Sequence, residues 1–125
     1  MSSMNRVFLM GNLTRDPEMK TTPTGAKVTT FGLAMNRVFT DKAGEKHEDV
    51  CFITVVVWGK AADACGEFLT KGRPVLVEGR LQYRTWDDKD GAKHSVHEIV
   101  ADRVHFLGSK PGAQDHSPAE EQVPF

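Results

Sequence analysis

One change of hydrophobic period constrains this chain more than any other feature. From Val50 to Trp58 the sequence reads VCFITVVVW, a β-branched and aromatic run apolar on both faces, as a buried strand should be. Directly after it, Ala61, Ala64, Cys65, Phe68 and Leu69 recur at three- and four-residue spacing, and Gly72 falls where a helix C-cap belongs. The rest of the body keeps the period of strands. NRVFLMGNLT is a β-like run that stops near Asp16-Pro17, because proline cannot continue a central ladder. PTGA is a turn. KVTTFGLAMNRVF is a second strand with a bulge or bend expected at Gly32, and TDKAGEKHED is a polar loop. RPVLVEGRLQYRTW is a fourth strand, DDKDGAK a hairpin tip and HSVHEIVADRVHF a fifth strand. Five strands with one short helix between strands 3 and 4 is the order of an all-β OB-fold, a five-stranded Greek-key barrel. An SH3-like barrel, the alternative, places no helix there.

At 125 residues, 39% hydrophobic and 26% charged, the chain has enough material for one core of ordinary globular composition. No apolar run approaches the roughly 20 residues of a membrane span, and Val7–Gly11 is too short for a signal-peptide core. The expected location is cytoplasmic, with the nucleoid as its setting and no membrane partner. From Gly108 onward, GSKPGAQDHSPAEEQVPF holds three of the six prolines and no apolar periodicity. Such a stretch cannot bury enough surface to offset its ordering entropy, so residues 1–108 are expected to form the folded domain and 109–125 a disordered tail. Within the tail, Lys110 stands against Asp115, Glu120 and Glu121. That leaves the body with 15 basic and 14 acidic groups, so nucleic-acid binding would have to rest on placement rather than bulk charge.

The fourth strand is the most informative about function. Alternation sends Val75, Val77, Gly79, Leu81 and Tyr83 to one face, expected in the core, and Arg80, Gln82, Arg84 and Trp86 to the other. A face of guanidinium groups and a flat ring suits single-stranded nucleic acid: cations answer phosphates, and a ring stacks on any base at about 1–3 kcal/mol. Phe52 and Trp58 share a face of the third strand, and Phe39 stands beside Arg37 and Lys42. Four such rings exceed what a five-stranded barrel needs for packing. The face of the third strand opposite Phe52 and Trp58 is apolar too, and this surplus suggests contact with another protomer. Cys51 and Cys65 lack CxxC spacing and are expected to be buried small hydrophobes rather than a disulfide or zinc ligands. The histidines are scattered, His94 and His97 fall on opposite faces of a strand, and no nucleophile or phosphate-loop motif appears. The sequence therefore points to no enzyme, metal, cofactor or small-molecule substrate.

NRVFLMGNLTRDPE, VVVWGKAADACGEFLTKG, VEGRLQYRTWDDKDG and the terminal VPF together, and in this order, resemble the bacterial single-stranded DNA-binding proteins. The resemblance implies an OB-fold protomer that forms a homotetramer and wraps single-stranded DNA without sequence preference during replication, recombination and repair. It places base-stacking rings at Phe39, Phe52, Trp58 and Trp86, and DNA-path cations at Lys42, Lys60, Lys71 and Arg84, to which Arg37 is added as the neighbour of Phe39. Phenylalanine stands at 39 and 52 where the family often has tryptophan, tryptophan stands at 58 where it has phenylalanine, and Thr54 replaces a residue that is often basic. The GNL at Gly11–Leu13 and DPE at Asp16–Glu18 are family marks read here as structural: glycine admits a neighbouring backbone and Asp-Pro ends a strand. The tip, with Glu120, Glu121, Val123, Pro124 and Phe125, is expected to dock replication and repair enzymes. A buried ring, a captured carboxylate and a proline that lowers the cost of ordering fit that role. The rival within the fold is a primosomal adaptor serving mainly as a protein bridge.

Overall fold

Two long antiparallel hairpins make most of the molecule, which a computed structural model describes over residues 2–108. Strand β1 is Val7–Leu13, β2 Glu18–Thr21, β3 Lys27–Thr40 and β4 Lys46–Trp58. Helix α1, Lys60–Phe68, precedes β5, Pro74–Asp87, and β6, Lys93–Phe106. β3 pairs with β4 and β5 with β6 along nearly their whole lengths. β1 joins β5 on one side and reaches β3 through Asn12 and Leu13 on the other, and a short parallel pairing of Val55–Val57 with Ile99–Ala101 links β4 to β6. The five strands thus close in the circular order β1-β5-β6-β4-β3, with the helix between β4 and β5. This is the expected OB-fold barrel.

Its core holds Phe31, Leu33, Val55, Val57, Val75, Val77 and Ile99, with Ala62, Cys65 and Leu69 of the helical segment closing one end. The helix is anchored where buried Thr29 donates its hydroxyl to the Ala62 carbonyl at 2.7 Å. At Gly11 a β-carbon would collide with the Ala34 carbonyl, so the glycine does admit a neighbouring backbone, as its sequence context suggests. Asp16 Oδ1 accepts from the Lys71 amide at 2.8 Å, which ties the turn after β1 to the turn before β5.

Several details differ from the sequence expectation. Glu18–Thr21 forms a sixth short strand on β3, legible only through its pairing because all four residues are exposed. Half of the polar loop after Phe39 is strand, Thr40 and residues 46–49. The β3–β4 ladder runs out to Thr40 and Lys46, and Asp41 closes the turn by accepting the Ala43 and Glu45 amides, each at 2.9 Å. Polar residues occupy both faces there because the hairpin stands clear of the barrel. Gly32 marks no bulge, since the β3–β4 register is unbroken across it; a side chain there would collide with Thr14. Gly72 is not the helix cap: the helix stops at Leu69, and Gly72 (φ 87°) sits in the following turn, donating to the Leu13 carbonyl at 2.8 Å. α1 buries Ala62 and Cys65, while Ala61 and Phe68 are exposed.

Candidate nucleic-acid interface

β5 explains where the ring-bearing surface begins. Val75 and Val77 are fully buried, but a register shift against β6 occurs at Glu78/Gly79, where a β-carbon on Gly79 would strike the Val100 carbonyl. Beyond that bulge the ribbon leaves the barrel, so Leu81 and Tyr83, expected in the core, are 43% and 60% exposed. The β4 alternation is simpler. Val55 and Val57 point into the core with Ile53 packed against it, and Phe52 and Trp58 face out. The apolar face opposite Phe52 and Trp58 is therefore the barrel interior, not surplus surface for a second protomer. Cys51 corrects another expectation: it is exposed, because it lies where β4 leaves the barrel. Cys65 is buried, and burial pushes its thiol up to about 11.

Three of the four expected rings gather on the β4–β6–β5 side. Trp58 lines a groove of about 290 Å³ with Val56, Gln82, Arg84 and Glu98. The Arg84 guanidinium lies 4.7 Å from the centre of the Trp86 ring, and Arg84 Nε donates to Glu98 Oε1 at 2.7 Å. That bond raises the arginine's proton affinity further and fixes its direction, so Arg84 carries a structural duty besides its charge. Trp86 opens on a second groove with Tyr83, Lys93 and His94. Phe52, 67% exposed, lines a third with Arg15, Thr54 and His97, and the Tyr83 and His97 rings meet at 4.8 Å. The result is a row of flat and cationic groups on one sheet face, Trp58–Arg84–Trp86 with Phe52 on the same face of β4, while the paired Tyr83 and His97 rings lie on the opposite face of the β5–β6 ribbon. Tyr83, His97 and Arg15 were missed from the sequence: Tyr83 follows apolar positions in strict alternation, and Arg15 lies in a loop whose neighbour only the fold supplies.

Phe39 stands apart. It sits near the end of the β3–β4 ribbon with the Arg37 guanidinium 4.4 Å from its ring centre, and the unbroken register puts it on the opposite side of that ribbon from Phe52. Arg37 is ion-paired with Asp49 at 3.1 Å. Lys42 occupies the exposed turn beyond Phe39, and Lys60 opens α1 two residues after Trp58. Lys71 lies at the far end of α1 from Trp58, in the turn held by Asp16, and the fold does not bring it to the rings. Asp41, Glu45 and His47 place one potential metal-ligand atom each within 4.8 Å of one another, but His47 Nε2 and Asp41 Oδ2 already meet at 2.7 Å and the group is largely exposed. The tip residues Glu120, Glu121, Val123, Pro124 and Phe125 lie outside the described residues.

A closed five-stranded barrel with a capping helix and rings set among cations on one outer face is an OB-fold protein of the oligonucleotide-binding class. Comparison narrows the class: the model of the single-strand binding protein family matches residues 4–107, and the chain belongs to that family. It is 47% identical over 119 residues to a single-stranded DNA-binding protein of Caldanaerobacter subterraneus subsp. tengcongensis, covering 95% of this chain and 78% of that one. To a protein of the same description from Helicobacter hepaticus it is 43% identical over 112 residues, covering 90% of this chain and 66% of that one, just under two thirds. Among solved structures, the Plasmodium falciparum SSB complex with ssDNA superposes with a TM-score of 0.78 at 29% identity, covering 86% of this chain and 98% of that one. A deletion mutant of the Thermus aquaticus single-stranded DNA binding protein gives 0.74 at 39% identity, covering 84% and 51%. Membership of a binding-protein family, not an enzyme family, agrees with the lack of a catalytic motif in the sequence. Among the described residues no helix is long and apolar enough to cross a membrane.

Proposed function

We propose that this chain binds and protects single-stranded DNA without sequence preference during replication, recombination and repair, working in the cytoplasm on the nucleoid. One observation carries the reading: the row Trp58–Arg84–Trp86 with Phe52 beside it, flat groups that accept any base next to cations that accept phosphates. The ssDNA complex of the Plasmodium relative supports it by fold. Phe39, Phe52, Trp58 and Trp86 are the stacking rings, and Arg37, Lys42, Lys60 and Arg84 the phosphate partners; Lys71 serves only a strand that travels around the helix. Residues 1–108 are the binding domain and 109–125 a tail whose tip recruits replication and repair enzymes.

Assembly into a homotetramer is part of the same reading. Its support is the edge of β1, which meets β3 only through Asn12 and Leu13 and leaves Val7–Met10 without a ladder partner on that side among the described residues. Exposed Phe8 lies along it. A titration of intrinsic fluorescence with poly-dT, run beside sedimentation, tests the function: Trp58 and Trp86 are the only tryptophans, so saturation quenches most emission. Unchanged emission overturns the assignment, and a stable monomer near 14 kDa overturns the tetramer. Deleting Val123–Phe125 abolishes partner pull-down and leaves DNA affinity equal or slightly higher; partners that still bind equally well refute the tip's role and favour an inert end.

A further inference from the structure

The two hairpin tips repeat each other. Arg37-Val-Phe39-Thr-Asp41-Lys42-Ala-Gly44-Glu-Lys46-His47 aligns without gaps on Arg84-Thr-Trp86-Asp-Asp88-Lys89-Asp-Gly91-Ala-Lys93-His94, with six identical positions and a seventh aromatic in both. The structures of the tips match group for group. Asp41 Oδ1 accepts the amides two and four residues on, both at 2.9 Å, and Asp88 Oδ1 does the same at 2.8 and 2.9 Å. Each aspartate's other oxygen meets the histidine Nε2, at 2.7 Å for His47 and 2.8 Å for His94. Each imidazole lies nearly parallel to the cross-strand ring, at 5.2 Å and 22° for Phe39 and 5.3 Å and 21° for Trp86. The guanidinium two residues before each ring lies against it, at 4.4 and 4.7 Å.

An exposed turn needs none of this to close, because the Asx turn and the left-handed glycine already do so. What the extra groups achieve is to hold a large exposed ring in one orientation. The aspartate joins turn to imidazole and the imidazole joins the ring, so the side-chain ordering that a stacked base demands is met before the base arrives. In both tips the histidine bond also holds the aspartate below the usual carboxylate range, which keeps it an acceptor. The repetition reaches the cations: Lys89 occupies the place of Lys42.

We infer that the two tips are duplicated stacking clamps for single-stranded nucleic acid, in which His47 and His94 hold Phe39 and Trp86 and extend their stacking surface, and Lys89 contributes at the second tip what Lys42 contributes at the first. The inference rests on the single-strand reading above and adds residues to it. Each clamp seats one nucleotide, its base on the ring–imidazole pair.

The test uses the full-length protein, a fluorescently labelled dT oligomer long enough to reach both tips, and fixed pH and salt. His47→Ala and His94→Ala each lower affinity by about 3- to 10-fold, a fraction of what a whole stacking ring contributes, and by similar factors. His47→Phe and His94→Phe, which keep a flat ring, retain most of the affinity. Lys89→Ala flattens the salt dependence as much as Lys42→Ala does. Thermal melts run in parallel separate binding from folding, the alanine variants melting with the wild type. Alanine variants that both bind within twofold of wild type overturn the inference, as does a loss confined to one tip. A loss matched by a drop in melting temperature and not rescued by phenylalanine also overturns it, because the histidines would then be structural only. A wild-type protein that ignores dT refutes the single-strand reading itself, and this inference with it.

Discussion

Replacing Arg84 by methionine probes how the binding face is held together. Glu98 is 3% exposed, and its close partner is Arg84 Nε at 2.7 Å, with Gln82 Nε2 at 3.4 Å. Without the guanidinium a buried carboxylate keeps only the weaker contact. Breaking a fully buried ion pair costs about 3–5 kcal/mol. The Arg84 side chain is 50% exposed, so water reaches the vacated side and the cost falls to roughly 2 kcal/mol, near that of one charged hydrogen bond. At about 4–8 °C per kcal/mol for a domain near 100 residues, Arg84→Met should melt about 8–16 °C below wild type in a circular-dichroism scan. Replacing both partners, Arg84→Met with Glu98→Leu, removes the orphaned charge and should recover most of that loss. DNA affinity should not recover, because the cation against Trp86 remains absent. A single variant melting within about 2 °C of wild type would refute the burial argument. A double variant that stays as unstable as the single one would show that the cost does not come from the stranded carboxylate.

A thiol-specific reagent at neutral pH should label one cysteine per native chain, Cys51, because Cys65 is buried with its thiol raised to about 11; prompt labelling of both contradicts the packing. Gly79→Ala should cost about 1–3 kcal/mol in denaturant melts, since its β-carbon meets backbone, the Val100 carbonyl, rather than a movable side chain; a neutral result means β5 can shift at the bulge. For acid, Asp41 and Asp88 are lowered first by their histidine bonds, then by turn amides. A depressed carboxyl stabilises the fold above its unfolded pKa, and that contribution is lost as pH falls through the folded value. NMR titration should find both carboxyls below the usual aspartate range, with His47→Gln returning only Asp41 toward it.

Period and order along the chain determined the barrel. Strand and helix periods are local properties, and the one switch between VCFITVVVW and the Ala61–Leu69 segment leaves few small folds to choose from. The basic-and-aromatic face of Arg84 and Trp86 was legible for the same reason, because alternation is a property of two neighbouring bonds. What alternation cannot say is where a ribbon leaves its barrel. Leu81 and Tyr83 continue the pattern of Val75 and Val77 but lie in the open, since the bulge at Gly79 and the limited girth of five strands decide where the core ends. Cys51 is exposed for the matching reason on β4. β2, the placing of Arg15 beside Phe52, and the distance of Lys71 from the rings depend on chain segments that meet only after closure. The paired tips show the division most clearly: both copies of the motif stand in the sequence, but that each aspartate, histidine, ring and guanidinium touch follows from cross-strand register, which the tertiary structure alone decides.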